Sequence, residues 1–232
     1  MFDLPRLIQE ISVMALPVIF AITLHEAAHG IVAYRCGDDS AYRMGRVTFN
    51  PLRHIDGIGT ILLPLALFLL SSGHFLFGYA KPVPVAFAKL RRPRRDMVLV
   101  AAAGPATNVI LAILSTAMLP LVPHAPAVMS EWLKGNLYAS IFINVILAVF
   151  NMIPLPPLDG GRVAVGLLPE ALAVPLARTE RFGILILIAV IALVPLIGEK
   201  TGYDLNLVAY VMDRPVSWLL SAIQWATGVS YD

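Results

Sequence analysis

Charge is scarce in this chain. Of its 232 residues only 14% are Asp, Glu, Lys or Arg, and 58% are hydrophobic, where soluble domains run about 25% charged and about 45–50% apolar. That deficit excludes disorder and a coiled coil, and it argues against an ordinary soluble domain. Lys and Arg number 17 against 15 Asp and Glu, so there is no basic excess for nucleic acid and no such partner is expected. Cysteine is nearly missing too. Cys36 stands alone, which excludes an internal disulfide framework and a Cys-based zinc knuckle, and without a local base it reads as a small apolar filler. No repeat, low-complexity tract or soluble module divides the chain, so residues 1–232 read as a single membrane-embedded domain.

What the chain has instead is uncharged length. Met97–Val122 holds no charged residue over 26 positions, Gly135–Leu158 none over 24, Gly57–Ala80 none over 24 and Phe182–Gly198 none over 17. A helix needs about 20 such residues to cross a bilayer. A further apolar stretch runs from Ile11 to Leu24 and on to Tyr34, with no basic cluster before it and no cleavage site after it, unlike a signal peptide. The expected fold is an all-α integral membrane protein, a polytopic bundle of about five to six transmembrane helices. A re-entrant segment or short β element is expected between the first two apolar runs. Arg46–Phe49 alternates as a short strand would, Asn50-Pro51 reads as a turn, and Lys81–Val85 is too rich in proline for a helix. Met212-Asp213-Arg214-Pro215 makes a single spanning helix doubtful in the C-terminal stretch.

The chemistry begins at His25-Glu26-Ala27-Ala28-His29. Histidines at i and i+4 share one helix face and can bind one zinc ion, and the glutamate beside the first can act on a water there. Ionisable side chains within an apolar run are a functional signal by default. A catalytic zinc takes three protein ligands, so a third must come from elsewhere. The run Gly135–Leu158 ends in three prolines followed by Asp159-Gly160-Gly161. Broken backbone at membrane depth is tolerated only where it is buried in protein or lines a wet cavity. His54, His74 and His124 lack partners at ligand spacing and read as solvated or interfacial, and Asp56 reads as a turn residue. Trp132, Trp218 and Trp225 suit the interfacial aromatic belts, and Arg91–Arg95 suits a topology anchor touching anionic lipid.

These residues resemble the site-2 proteases, intramembrane zinc metalloproteases. His-Glu-x-x-His, Asn-x-x-Pro-x-x-Pro-Leu-Asp-Gly-Gly from Asn151 to Gly161, and Gly-Pro-x-x-Asn at Gly104–Asn108 occur in the family's order. The resemblance implies one zinc per chain held by His25, His29 and Asp159, with Glu26 as catalytic base and Asn151 steadying the scissile carbonyl or its oxyanion. It implies single-pass transmembrane substrates, for example anti-sigma factors or remnant signal peptides. The catalytic core is expected at about 7–165 and C-terminal helices at about 180–227. The gap from Val122 to Gly135 is too short for a folded module, so the chain resembles a minimal member without PDZ or CBS domains. A metal-binding transporter and a non-catalytic membrane scaffold are the alternatives. The first leaves Glu26 unexplained, and the intact motif set argues against the second.

Topology tests the resemblance independently. If Gly57–Ala80 crossed the membrane once, Asp159 would lie on the opposite side from the two histidines. Re-entry removes the conflict, and Pro64, Ser71-Ser72 and Gly73 suit a broken path. Thirteen of the 17 Lys and Arg residues then share the face of the site. Basic loops stay in the cytoplasm, so the site is expected to open toward the cytoplasm from the cell membrane. Either Arg46–Phe49 or Lys81–Val85 could receive an unwound substrate by strand addition.

Overall fold

The structure is a computed structural model and describes residues 4–62, 66, 81–203 and 205–231. Among these, all regular structure is helical. Helix α1 spans Leu4–Arg35 and a single turn, α2, spans Ser40–Arg43. Helix α3 covers Pro93–Met118 and α4 covers Ala127–Asn151. Two short helices follow, α5 (Asp159–Leu167) and α6 (Glu170–Arg178). Helix α7 (Glu180–Ile188) runs through a π-helical turn at Ala189–Leu193 into α8 (Val194–Thr201), and α9 closes the order at Leu207–Thr227.

Four stretches are long and apolar enough to cross a membrane: Ile11–Arg35, Pro93–His124, Ala127–Asn151 and Glu180–Gly198. The chain is a multi-pass helical membrane protein. Helix α9 is continuous through Pro215, so the doubtful segment is one helix. It carries Asp213 and Arg214 and is not among the four.

The bundle is built inside out relative to a soluble protein. Helices α1, α3 and α4 meet through small residues: Ala21, Ala27, Ala101, Ala112 and Ala148 are all buried. Large apolar side chains such as Phe20, Ile110, Leu114 and Phe142 point outward. Between helices in lipid, close approach of small residues supplies the packing that water would otherwise drive.

Gly57–Ala80, expected to be re-entrant, lies mostly outside the described residues, but its first residues, 57–62, and the residues flanking it do not. The Lys81 N–H donates to the His54 carbonyl at 2.8 Å. A single helical crossing of 24 residues would hold such ends about 36 Å apart. The flanking residues His54 and Lys81 therefore lie on one face, while the path between them falls outside the described residues. Asp38 ties that face together. Fully buried, it accepts from Ser40 N at 3.0 Å and from Ala86 N at 2.6 Å. Burial alone would raise its carboxyl, but these donors and Lys89 hold it below the ordinary 3.8.

Three details differ from expectation. Arg46–Phe49 is not a strand. The Arg46 guanidinium donates to Arg53 O at 2.6 Å and Thr48 Oγ1 accepts from Asn50 N at 3.2 Å, so local side-chain bonds fold the segment. His54 is buried, not solvated, with Nε2 donating to Thr48 O at 3.0 Å. Lys81–Val85 is non-helical as expected, yet the Lys81 and Val83 N–H groups are engaged. Lys81 N bonds His54 O, Val83 N bonds the Glu26 carboxylate, and Pro82 and Pro84 have none. His74 lies outside the described residues. Asp56 caps the turn at Gly57–Leu62 through Ile58 N and Gly59 N, as a turn residue should. Cys36 packs against the cluster of Ala33, Leu90 and Val100, and burial and Asp96 push its thiol up, which suits a filler.

Candidate metal centre

Helix α1 carries His25 and His29 on one buried face, six to ten residues before its end at Arg35. At 1.5 Å per residue this places the imidazoles about 9–15 Å from that end, within the bundle. Asp159 arrives from a different part of the chain. Pro154, Pro156 and Pro157 end α4 and fold residues 152–158 into a turn, and Asp159 opens α5. Here glycine is obligatory. A Cβ on Gly160 would lie 2.2 Å from Met152 O, and one on Gly161 would lie 2.2 Å from Pro156 N. Only hydrogen at these positions lets the turn close against the helix and aim the carboxylate at α1.

The three side chains converge. His25 Nε2 lies 3.0 Å from His29 Nε2, and Asp159 Oδ2 lies 3.2 Å from the first and 3.3 Å from the second. All three residues are buried. They form the one His/Cys/Asp/Glu cluster of metal-binding geometry among the described residues.

The proton arrangement decides what this triangle can hold. His25 Nδ1 sits 2.6 Å from Asn108 Oδ1, and His29 Nδ1 sits 2.7 Å from the Val100 carbonyl. Those oxygens only accept, so both Nδ1 atoms donate, and a ring in its neutral form then turns an Nε2 lone pair inward. Asp159 Oδ2 is buried and has no hydrogen-bond partner. With both rings neutral, three acceptors face one another with no donor among them, an arrangement that a cation satisfies. Ligands at tetrahedral corners around zinc lie about 3.3–3.5 Å apart, given bonds of about 2.0–2.2 Å. The observed separations of 3.0, 3.2 and 3.3 Å lie at the lower edge of that range or up to about 0.3 Å below it, so a bound zinc needs only a slight spreading of the three atoms.

Gly104 lets the helices come this near. A Cβ there would sit 2.5 Å from both His25 Cε1 and His29 Nε2. The Gly-Pro-x-x-Asn element therefore serves the centre twice, with Gly104 making room and Asn108 fixing His25.

Glu26 is half-buried beside the cluster, and its Oε2 accepts from Val83 N at 2.8 Å. Asn151 ends α4 and donates to Leu147 O at 3.0 Å, with no bond to the triangle. The structure thus brings together His25, His29 and Asp159, places Glu26 beside them, and leaves the Asn151 amide turned back on its own helix. Sequence reasoning missed the Val83 amide and Asn144, whose Oδ1 accepts from Asn108 Nδ2 at 2.8 Å. The spacing Asn136, Ser140, Asn144 inside an uncharged run was the available signal. Exposed His124, Trp218 and Trp225 suit interfacial positions.

The chain has relatives among known proteins. Residues 122–194 match the model of peptidase family M50. The YwhC protein of Bacillus subtilis, which carries the name of a zinc metalloprotease, is 37% identical over 177 residues, covering 75% of this chain and 77% of that protein. Rip2 of Mycolicibacterium smegmatis, similarly named, is 29% identical over 175 residues, covering 75% of this chain and 64% of its own length. Rip2 of Mycobacterium tuberculosis is 31% identical over 144 residues, covering 60% and 51%. No solved structure matches the chain. With a donor set suited to zinc at the heart of a helical membrane bundle, the chain belongs to peptidase family M50 and is a zinc metalloprotease of the site-2 protease type.

Proposed function

We propose that this metalloprotease cleaves transmembrane segments of other membrane proteins, with His25, His29 and Asp159 as zinc ligands and Glu26 as the base. The observation that carries the reading is the inward-facing acceptor triangle buried within the bundle. A site at that depth serves peptide bonds that lie in the bilayer.

Zinc, when bound, polarises the scissile carbonyl and brings the pKa of a water toward about 7. The chain's own residues do the rest. Glu26 takes the proton from the attacking water and passes it to the leaving amide nitrogen. Its carboxylate is held in place by Val83 N, on a segment flanked by two prolines. Asn151, once its amide leaves Leu147 O, is the donor for the substrate carbonyl oxygen; one such donor is worth about 3–4 kcal/mol. Strand addition at Lys81–Val85 requires the substrate to displace His54 O or Glu26 from the N–H groups they hold.

The cell membrane is the proposed location, with the site opening toward the cytoplasm. Thirteen of 17 Lys and Arg residues fall on the side of the Arg35, Lys81 and Arg162 loops, in keeping with the positive-inside bias. Substrates are single-pass proteins, membrane-anchored regulators such as anti-sigma factors or remnant signal peptides among them. The decisive test reconstitutes full-length enzyme with a model single span and follows cleavage within it. Replacing Gly, Pro and Asn of that span by Leu should slow cutting, because Gly and Pro weaken a helix by about 1 and 3 kcal/mol relative to Ala. Cleavage confined to loops outside the bilayer, or equal cutting of the all-Leu span, would overturn the reading.

A further inference from the structure

A buried amide relay runs away from the metal centre. Asn108 on α3 and Asn144 on α4 are 0% and 1% exposed, inside a bundle whose outer surface is apolar. Burying an unbonded amide is costly, so two amides at such a place need partners. Leucine would pack there at less cost.

The partners fix more than packing. The Ser140 carbonyl only accepts, so the Asn144 group 2.8 Å from it is Nδ2. That turns Asn144 Oδ1 toward Asn108, whose Nδ2 donates to it at 2.8 Å and also lies 3.3 Å from the Ala21 carbonyl. Asn108 Oδ1 is thereby left facing His25 Nδ1 at 2.6 Å. Each amide has one orientation because the next has one, and the chain is rooted in backbone carbonyls of α4 and α1. Were Asn108 flipped, its Nδ2 would face His25 Nδ1. The ring would then favour carrying its proton on Nε2, the atom turned toward Asp159.

We propose that Asn144 is a positioning residue for the metal centre: through Asn108 it holds His25 in the Nδ1–H tautomer, with the Nε2 lone pair turned inward. The inference rests on His25, His29 and Asp159 being the zinc ligands. Groups standing behind a metal-binding histidine commonly change metal affinity about 10–100-fold when lost. His29 is anchored separately, on Val100 O, so the relay acts on one ligand of three.

The test measures zinc affinity of the purified full-length protein in detergent, by competition with a chromogenic chelator. The variants are Asn144→Leu, Asn108→Leu, the double variant, and Thr116→Val as a buried polar-to-apolar control on α3. Asn144→Leu should weaken zinc about tenfold or more and shift the visible bands of the cobalt-substituted protein, while Thr116→Val changes neither. Because the two amides act in series, the double variant should bind no more weakly than Asn108→Leu. Wild-type affinity in Asn144→Leu, or losses that simply multiply in the double variant, would overturn the proposal. Independently of any variant, nitrogen-15 spectra of the metal-free wild type should report His25 protonated on Nδ1; the opposite tautomer refutes the relay. His25→Ala and His29→Ala that keep their zinc would sink the ligand assignment itself. Loss of zinc in those variants with full affinity in Asn144→Leu would sink the relay alone.

Discussion

Replacing Gly104 by alanine tests the centre with a single methyl group. On helix propensity the change is favourable, worth about 1 kcal/mol in the interior of α3. The surroundings oppose it. The new Cβ would stand 2.5 Å from His25 Cε1, 2.5 Å from His29 Nε2 and 2.6 Å from His25 Nε2, where ordinary contacts begin at about 3.5 Å. Relief requires a shift of about 1 Å, and neither ring is free to make it, since each is tied through Nδ1 at 2.6 or 2.7 Å. Breaking one such buried bond costs about 1–3 kcal/mol. A displaced Nε2 also leaves the window of about 0.2 Å that zinc coordination tolerates. We expect Gly104→Ala to remain folded and bind zinc at least 10–100-fold more weakly, a loss of about 1.4–2.8 kcal/mol. The assay pairs chelator competition with thermal unfolding of the metal-free protein. Unchanged zinc affinity in Gly104→Ala would refute the close approach of α3 to the two imidazoles.

The remaining predictions concern the ligands, the base, the loops and the topology. Metal analysis should give about one zinc per chain for wild type and for Glu26→Gln, and little for His25→Ala or Asp159→Ala, while Glu26→Gln loses cleavage. Asp38 titrates below 3.8 in the folded protein. Its stabilising contribution is therefore complete above that pH and lost as pH falls through the folded value. Thermal unfolding of Asp38→Asn should accordingly depend less on pH below about 4 than wild type does. In a Cys36→Ala background, single cysteines at Phe49 and Lys81 should label from the same side of intact cells, because His54 O and Lys81 N are bonded. Labelling from opposite sides would contradict that contact.

Much of the site was readable because its chemistry is expensive. Two histidines and a carboxylate in apolar surroundings stand out in any sequence, and the requirement that one metal reach all three forced the same-face argument for Gly57–Ala80. What could not be read depends on pairs distant in the chain or on backbone atoms. Asn144 meets Asn108 across 36 residues and the Val83 amide meets Glu26 across 57; the spacing of Asn136, Ser140 and Asn144 marks a polar stripe but names no partner for it. Arg46–Phe49 failed as a strand for a local reason. Alternation favours extension, but the bonds from Arg46 to Arg53 O and from Asn50 N to Thr48 offered the chain a folded alternative. His54 was misjudged because its Nε2 finds the Thr48 carbonyl six residues away, a bond that ligand spacing does not suggest.

The depth of the two imidazoles acts as a ruler. They lie six to ten residues from the end of α1 at Arg35, about 9–15 Å in. A substrate drawn out at about 3.3 Å per residue covers that distance with about three to five residues. On the proposed cleavage of transmembrane spans, cutting there would divide a span of about 20 residues into a short apolar tail and a remnant of about 15. Neither fits the bilayer as the intact span did, since the remnant is too short to cross and the tail too short to anchor. Hydrophobic mismatch then favours departure of both fragments, so the position of the histidines along one helix also governs how readily the products leave.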